Sequence, residues 1–419
     1  MKRILYNIVL SLLCCLPCSA QPFTEVLDEH IATVEVRCGA DGAALPVIGL
    51  GTGETFSLSF DDLSAGYRRF EYHIEHLTPN FQPTEGLFES EYVRSAAETE
   101  PIEEYDESIG TVQTYTHYRL KFPNQRLTPI VSGNYRLVVT AEDEDTGEVT
   151  DVLRVWFAVC DGTGSVSLTA TTDTDAGRNG VWQQLGMKVN LDSQPLRSAD
   201  EEVRTLVLQN RRTDNAVLDA RPTYVLGNEL EWSHSRDLIF RAGSQFRAFE
   251  MRSTRYPGMH QESVRWDGDN YQARLMMDEP LRSYLTEPDR NGQRVIRTDD
   301  GQDAATQGEY CFAHFTLHTD PRPDTQYYIY GQWTPGCPAR AYRMTYDETA
   351  EAYTAQLYLK QGYYSYTYLC QPSGSRACYQ ADGDYWQTEN EYAALVYYRP
   401  SGGRYWQLVA WTCPTFAPR

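Results

Sequence analysis

Apolar and polar residues alternate along most of this chain, and the alternation has a period of two rather than the 3.6 of a helix. In Thr116–Phe122, Thr116, Tyr118, Leu120 and Phe122 fall on one side, and His117, Arg119 and Lys121 on the other. Over 134–140, Tyr135, Leu137 and Val139 share a face; over 149–159, Val149, Leu153, Val155, Phe157 and Val159 do. One apolar and one polar face is the pattern of a half-buried antiparallel strand. Pro123-Asn124 and Ser132-Gly133-Asn134 supply turn chemistry between the first two runs. Similar runs occupy 31–38, 56–60 and 70–76, and again 181–191, 203–209, 223–231, 246–253 and 271–277. Seven more lie between residues 309 and 411. No stretch has the period of a long amphipathic helix. The pattern predicts an all-β chain of tandem immunoglobulin-like or early-set β-sandwich domains. The glycine-rich stretch 161–165 and the polar stretch 298–308 divide it into expected domains at 21–160, 165–300 and 309–419. A transmembrane barrel is not expected, because its strands run about 9–11 residues with an apolar outer face, whereas most runs here are shorter and the turns between them carry many charges.

The first 20 residues change the address. Lys2 and Arg3, the apolar run from Ile4 to Leu16 and Cys18-Ser19-Ala20 read as a secretory signal peptide ending before Gln21. The apolar run is shorter than the roughly 20 residues that span a bilayer, and no later run is long enough, so no transmembrane segment is expected. Without the leader, 35 basic residues (37 less Lys2 and Arg3) face 58 acidic ones, a net charge of −23. That balance argues against nucleic acid, whose phosphates require a basic face, and suits solubility or a basic partner patch. Ten cysteines fall to seven with the leader gone, an odd number. Cys370 and Cys378, which flank QPSGSRA, are the first pair expected to bridge; Cys311, Cys337 and Cys413 can supply a second.

Several motifs carry a family resemblance. TYTHYRLKFPN at 114–124, followed by SGNYRLVV at 132–139, resembles the first domain of the type IX secretion system plug proteins. LPVIGLGTGETFSLSFDDLS at 45–64 and SEYV at 90–93 fit the same family. QNRRTD at 209–214, QFRAFE at 245–250, DRNGQRVI at 289–296 and TENEY at 388–392 extend the likeness along the chain. One segment departs from it: His76-Leu77-Thr78-Pro79-Asn80-Phe81 stands where the family usually has a cysteine and an acid. The resemblance implies a non-enzymatic periplasmic protein. It would close the periplasmic opening of the outer-membrane translocon barrel while that barrel is idle. The barrel would be its partner; no cofactor is implied.

Candidate chemistry is sparse. The chain has no G-x-S-x-G elbow, H-E-x-x-H or phosphate-binding loop. His314 and His318 lie on a predicted strand, ~13 Å apart along it, too far to share one metal ion. Asp173, Asp175 and Asn179 have the composition of a calcium loop and equally of Asx turns, and the twelfth position from Asp173 is Gln184 rather than a bidentate Glu. No catalytic, cofactor or metal residues are therefore expected. The partner-binding candidates are Ile102 and Tyr105, in the acidic loop 98–108, with Tyr364 and Tyr366. Tyr364, Tyr366 and Tyr368 share one strand face, read first as exposed cross-strand tyrosine pairs and second as a binding platform. YIYGQW at 328–333 and the tyrosine-rich return strand also look like early-set starch-binding modules. A glycan-binding alternative follows, using Trp333, Tyr366 and Trp386.

Overall fold

The computed structural model describes residues 23–418 except 65, 144–145, 193, 287–288, 300–302, 337 and 376. The signal-peptide reading therefore lies outside the described residues. So does Cys337.

The chain folds as sandwiches of mostly antiparallel sheets, with a few parallel pairs, and alternation decides which face of each strand goes inside. In Phe70–Leu77, Phe70, Tyr72 and Ile74 point into the first core, with the residues between them half-buried. That strand, Gly133–Glu142 and Val149–Cys160 form one layer, and Ile31–Arg37, Phe56–Asp62, Thr116–Phe122 and Glu104–Glu107 form the other. Tyr135 lies directly across from Phe157 in the register, and the two rings stack at 5.2 Å. Such cross-strand aromatic pairs contribute roughly 0.2–1 kcal/mol each.

The first layer does not end with the first sandwich. Val149–Cys160 runs beside Gln407–Thr412 in parallel at Cys160 and Leu408, and the sheet continues through Asn390–Tyr398, Val203–Gln209 and Val217–Leu218. Eleven strands make up this sheet. Its far half packs on a second layer of Ser165–Thr171, Trp182–Asn190, Glu229–Trp232, Tyr224–Leu226 and Ile239–Arg241, closing a core around Trp232, Leu238, Tyr392 and Val409.

The third sandwich is an insertion. Arg247–Met251, Arg294–Ile296, Thr325–Tyr330, Gly362–Pro372 and Tyr379–Gln380 make one of its layers; Gln261–Trp266, Tyr271–Leu275, Tyr310–Leu317, Thr345–Asp347 and Ala352–Lys360 make the other. It interrupts the second sandwich between Ile239–Arg241 and Asn390–Tyr398. The expected domains 165–300 and 309–419 are thus interleaved. Val203–Gln209 pairs with Asn390–Tyr398, and Arg247–Met251 pairs with Gly362–Pro372. The physical reason is that an edge strand takes whichever partner completes both its hydrogen-bond ladder and its core, and sequence distance does not enter that balance.

Two further expectations fail. Cys370 and Cys378 are free thiols, as are Cys38, Cys160, Cys311 and Cys413. Cys370 packs toward the third core, whereas Cys378 shares a small cluster with Phe246, Tyr330 and Leu369. Leu369 and Cys370 are adjacent on one strand and face opposite ways, so the two sulfurs lie on opposite sides of the sheet. Tyr364, Tyr366 and Tyr368 form no exposed face. They sit in the core at 1%, 3% and 1% exposure. The Tyr366 and Tyr368 hydroxyls each donate to Asp278 at 2.7 Å.

Candidate functional site: the seams between sandwiches

The described residues hold no cluster of three or more histidine, cysteine or carboxylate side chains arranged for a metal ion. The Asp175 carboxylate accepts from Gln184 at 3.0 Å and lies 3.1 Å from His234, as turn chemistry would have it. His314 meets Gln272 at 2.7 Å. Polar chemistry concentrates instead where the sandwiches touch.

The first and third sandwiches meet through charge. Phe56, Leu58 and Phe60 point into the first core, so Asp61 points outward; by the same alternation His117 leaves its strand outward beside Tyr118. On the third sandwich Leu357 and Leu359 point inward and Lys360 outward. These outer faces press together. Asp61 and Lys360 end 0% and 1% exposed, with the ammonium 2.7 Å from Asp61 Oδ2. The Tyr310 hydroxyl donates to the same oxygen at 2.7 Å, and the His117 ring lies 2.6 Å from Oδ1. Lys360 also donates to the Ala305 carbonyl and stands 4.0 Å over the Tyr115 ring. Burial alone would raise the Asp61 carboxyl, but the His117 hydrogen bond and the Lys360 charge outweigh it and hold the group below the usual carboxylate range. Burial pulls the Lys360 ammonium below its ordinary value, with Asp61 opposing. The Glu309 carboxylate accepts the Val112 amide at 2.8 Å, and the Tyr115 hydroxyl donates to the Gly308 carbonyl at 3.0 Å.

The first and second sandwiches meet through the continuous sheet. On the face opposite both cores, Leu45, Trp156 and Ala158 join Leu206, Leu395 and Leu408 in one buried apolar cluster. SGNY sits at this seam. Gly133 has φ +145, and a Cβ there would stand 2.4 Å from His76 Nε2 and 2.9 Å from the Trp406 carbonyl. Asn134 accepts the Tyr397 hydroxyl at 2.8 Å. His76 is 3% exposed, donates from Nε2 to the Ser132 carbonyl at 3.3 Å, and meets the Thr84 hydroxyl through Nδ1 at 2.8 Å. Burial depresses its pKa to about 4, so it is neutral above that value.

The second and third sandwiches meet at the two chain crossings, where Arg212 of QNRRTD donates to the Cys378 carbonyl at 3.1 Å and stands 5.9 Å over the Tyr330 ring; the remaining motifs build networks within each sandwich beside these crossings. Asn210 donates to Asn390, which donates to Gln183 and to the Ala242 carbonyl. Arg211 pairs with Glu391 through two nitrogens at 2.8 and 3.1 Å. Arg247, from QFRAFE, bridges Asp278 and Asp382 at 2.6 and 2.7 Å.

The partner-binding candidates fare unequally. Ile102 is 2% exposed in the first core, and Tyr364 stacks on Phe249 at 5.2 Å. With Tyr366, both belong to cores and cannot touch a partner. Alternation along a strand distinguishes two faces but does not say which one is covered. Tyr105 alone among them is exposed, packed 4.8 Å from Tyr67, which is exposed as well. Trp333 is buried and donates to the Ser365 carbonyl, so it offers no sugar platform. Sequence reasoning missed Asp61, Lys360 and Tyr310, because an outward charge on a strand has the same pattern whether it meets water or a second sandwich.

Comparison with known proteins places these seams in context. Residues 31–158 match the family model for the type 9 secretion system plug protein 1st domain. A crystal structure of a hypothetical protein from Parabacteroides merdae superposes with a TM-score of 0.90 at 32% identity, over 94% of this chain and 100% of that one. No curated protein matches.

Proposed function

We propose a function from the premise these comparisons supply: the chain belongs to the type IX secretion system plug protein family. It is an all-β component associated with that system, and no helix among its described residues is long and apolar enough to cross a membrane. In our reading it is a non-enzymatic periplasmic plug that seals the periplasmic opening of the outer-membrane translocon barrel while no cargo is loaded. The observation that carries the reading is the plug-domain match over 31–158. The seams add what a steric seal requires. Each of the three sandwiches is fastened to both others, so the body resists deformation without a ligand. Displacement by cargo calls for a reversible contact of moderate affinity, set by its off-rate. The glycan-binding alternative loses two of its three residues, because Trp333 and Tyr366 are buried; Trp386 is half-buried.

The test is to purify the translocon barrel from the native envelope in idle and cargo-loaded states. Stoichiometric recovery of this protein with idle barrels, and its loss from loaded ones, is expected. Absence from barrels in every state would overturn the reading.

A further inference from the structure

A crevice of ≈ 250 Å³ opens where all three sandwiches converge, and it adjoins a smaller hollow of ≈ 140 Å³ that shares Val34, Val36, Arg211 and Gln332 with it. Four guanidinium groups line it: Arg37 from the first sandwich, Arg211 from the second, and Arg290 and Arg294 from the third. The concentration is unexpected in a chain of net charge −21.

The nearby carboxylates do not neutralise all four. Glu391 is committed to Arg211. Glu35 is shared loosely, 3.4 Å from Arg37 and 3.9 Å from Arg294. The Asp41 carboxylate caps the Ala43 amide at 3.0 Å. Asp289, next to Arg290 in sequence, is turned away onto the backbone amides of Phe246 and Asn291. Arg290 lies 5.8 Å over the Tyr363 ring and has no carboxylate within ion-pair distance among the described residues. Arg294 is nearly buried, with a side-chain exposure of 9%, and donates to the Val34 carbonyl. The crevice thus holds two largely buried guanidinium groups, Arg211 and Arg294, beside two exposed ones with spare donors, Arg37 and Arg290, a set suited to planar or tetrahedral oxygen anions.

We infer that this crevice is a binding site for a small oxyanion, a carboxylate or a phosphate. The site goes beyond the sealing role and does not depend on it. The acidic surface repels anions at range, so only a concave spot with several convergent guanidinium groups can retain one. Because its ligands come from three sandwiches, an occupied site ties the body together where the seams meet. Binding stabilises the folded state by mass action.

The experiment uses the mature protein, with thermal unfolding and calorimetric titration against inorganic phosphate and against citrate, each compared with chloride at equal ionic strength. Arg290→Ala and Arg37→Ala, both at exposed side chains, are run alongside, with Leu226→Ala, an exposed residue outside the crevice, as a control. We expect saturable binding and a raised unfolding temperature with phosphate, citrate or both, weakened about tenfold or more by either arginine substitution and unchanged by Leu226→Ala. Response to one probe only names that anion class. No binding by either probe, or binding that survives both arginine substitutions, would overturn the inference.

Discussion

The first sandwich is held on one side by charge and on the other by apolar surface, and the two seams respond differently to their surroundings. Toward the third sandwich, an ammonium, a carboxylate, an imidazole and a phenol meet with almost no water. Toward the second, a sheet simply continues, and leucines and a tryptophan cover its outer face. Apolar burial contributes about 25 cal/mol per Å² and tolerates loose geometry. A buried ion pair contributes little net stability, because desolvation offsets the attraction, but breaking it by removing one partner is costly. The apolar seam therefore supplies adhesion, and the charged seam supplies register. A displaced or rotated third sandwich would leave Asp61 or Lys360 buried and alone.

The largest expected effect breaks the charged seam. Lys360→Met leaves the Asp61 carboxylate buried beside His117 without its cation, and should cost about 3–5 kcal/mol in denaturant unfolding. Adding Asp61→Asn should restore part of that loss, since two neutral groups need no counter-charge. Strictly additive losses would mean that the pair is not coupled.

Acid should separate the seams in the opposite order to their charge. His76 binds a proton near pH 6.5 when unfolded but only at about 4 when folded, so the unfolded state takes up more protons between those values. Stability then falls as pH drops through that window, by about 3 kcal/mol in all, and it flattens below. Asp61, held below the usual carboxylate range, contributes fully above roughly pH 4, and that contribution is lost only as pH falls further. The seam that looks apolar thus weakens first. His76→Gln should remove most of the slope between pH 6.5 and 4; an unchanged slope would contradict the assignment.

A smaller effect probes the closeness of the apolar seam. Gly133→Ala imposes a left-handed-side backbone on a residue with a Cβ, worth roughly 1–3 kcal/mol, and drives that atom toward His76 and the Trp406 carbonyl. Its unfolding midpoint should fall accordingly, and one equal to the unsubstituted protein's would show that the seam yields. The smallest effect lies away from both seams. Tyr105→Ala, on the open surface beside Tyr67, should change stability by no more than about 0.5 kcal/mol.

Much of the fold is legible residue by residue. The Thr116–Phe122 strand has the bounds its alternation predicts, whereas Gly133 and Asn134, expected as turn residues, already open the Gly133–Glu142 strand. The insertion of the third sandwich is not legible, because the pairing of Val203 with Tyr398 leaves no local trace in either strand. Lys360-Gln361-Gly362 reads as an ordinary turn, although its lysine is the cation of the charged seam. The shared motifs point to the right places without saying why: THYR carries His117 into one seam, SGNY carries Gly133 and Asn134 into another, and QNRRTD and TENEY meet at the third.

The central claim is that these seams make one body out of three sandwiches. Small-angle scattering from the mature protein at neutral pH tests it most directly. A profile that fits this single arrangement, unchanged across protein concentration and salt, is the predicted result. A profile that requires a mixture of open and closed arrangements of the first and third sandwiches would contradict it.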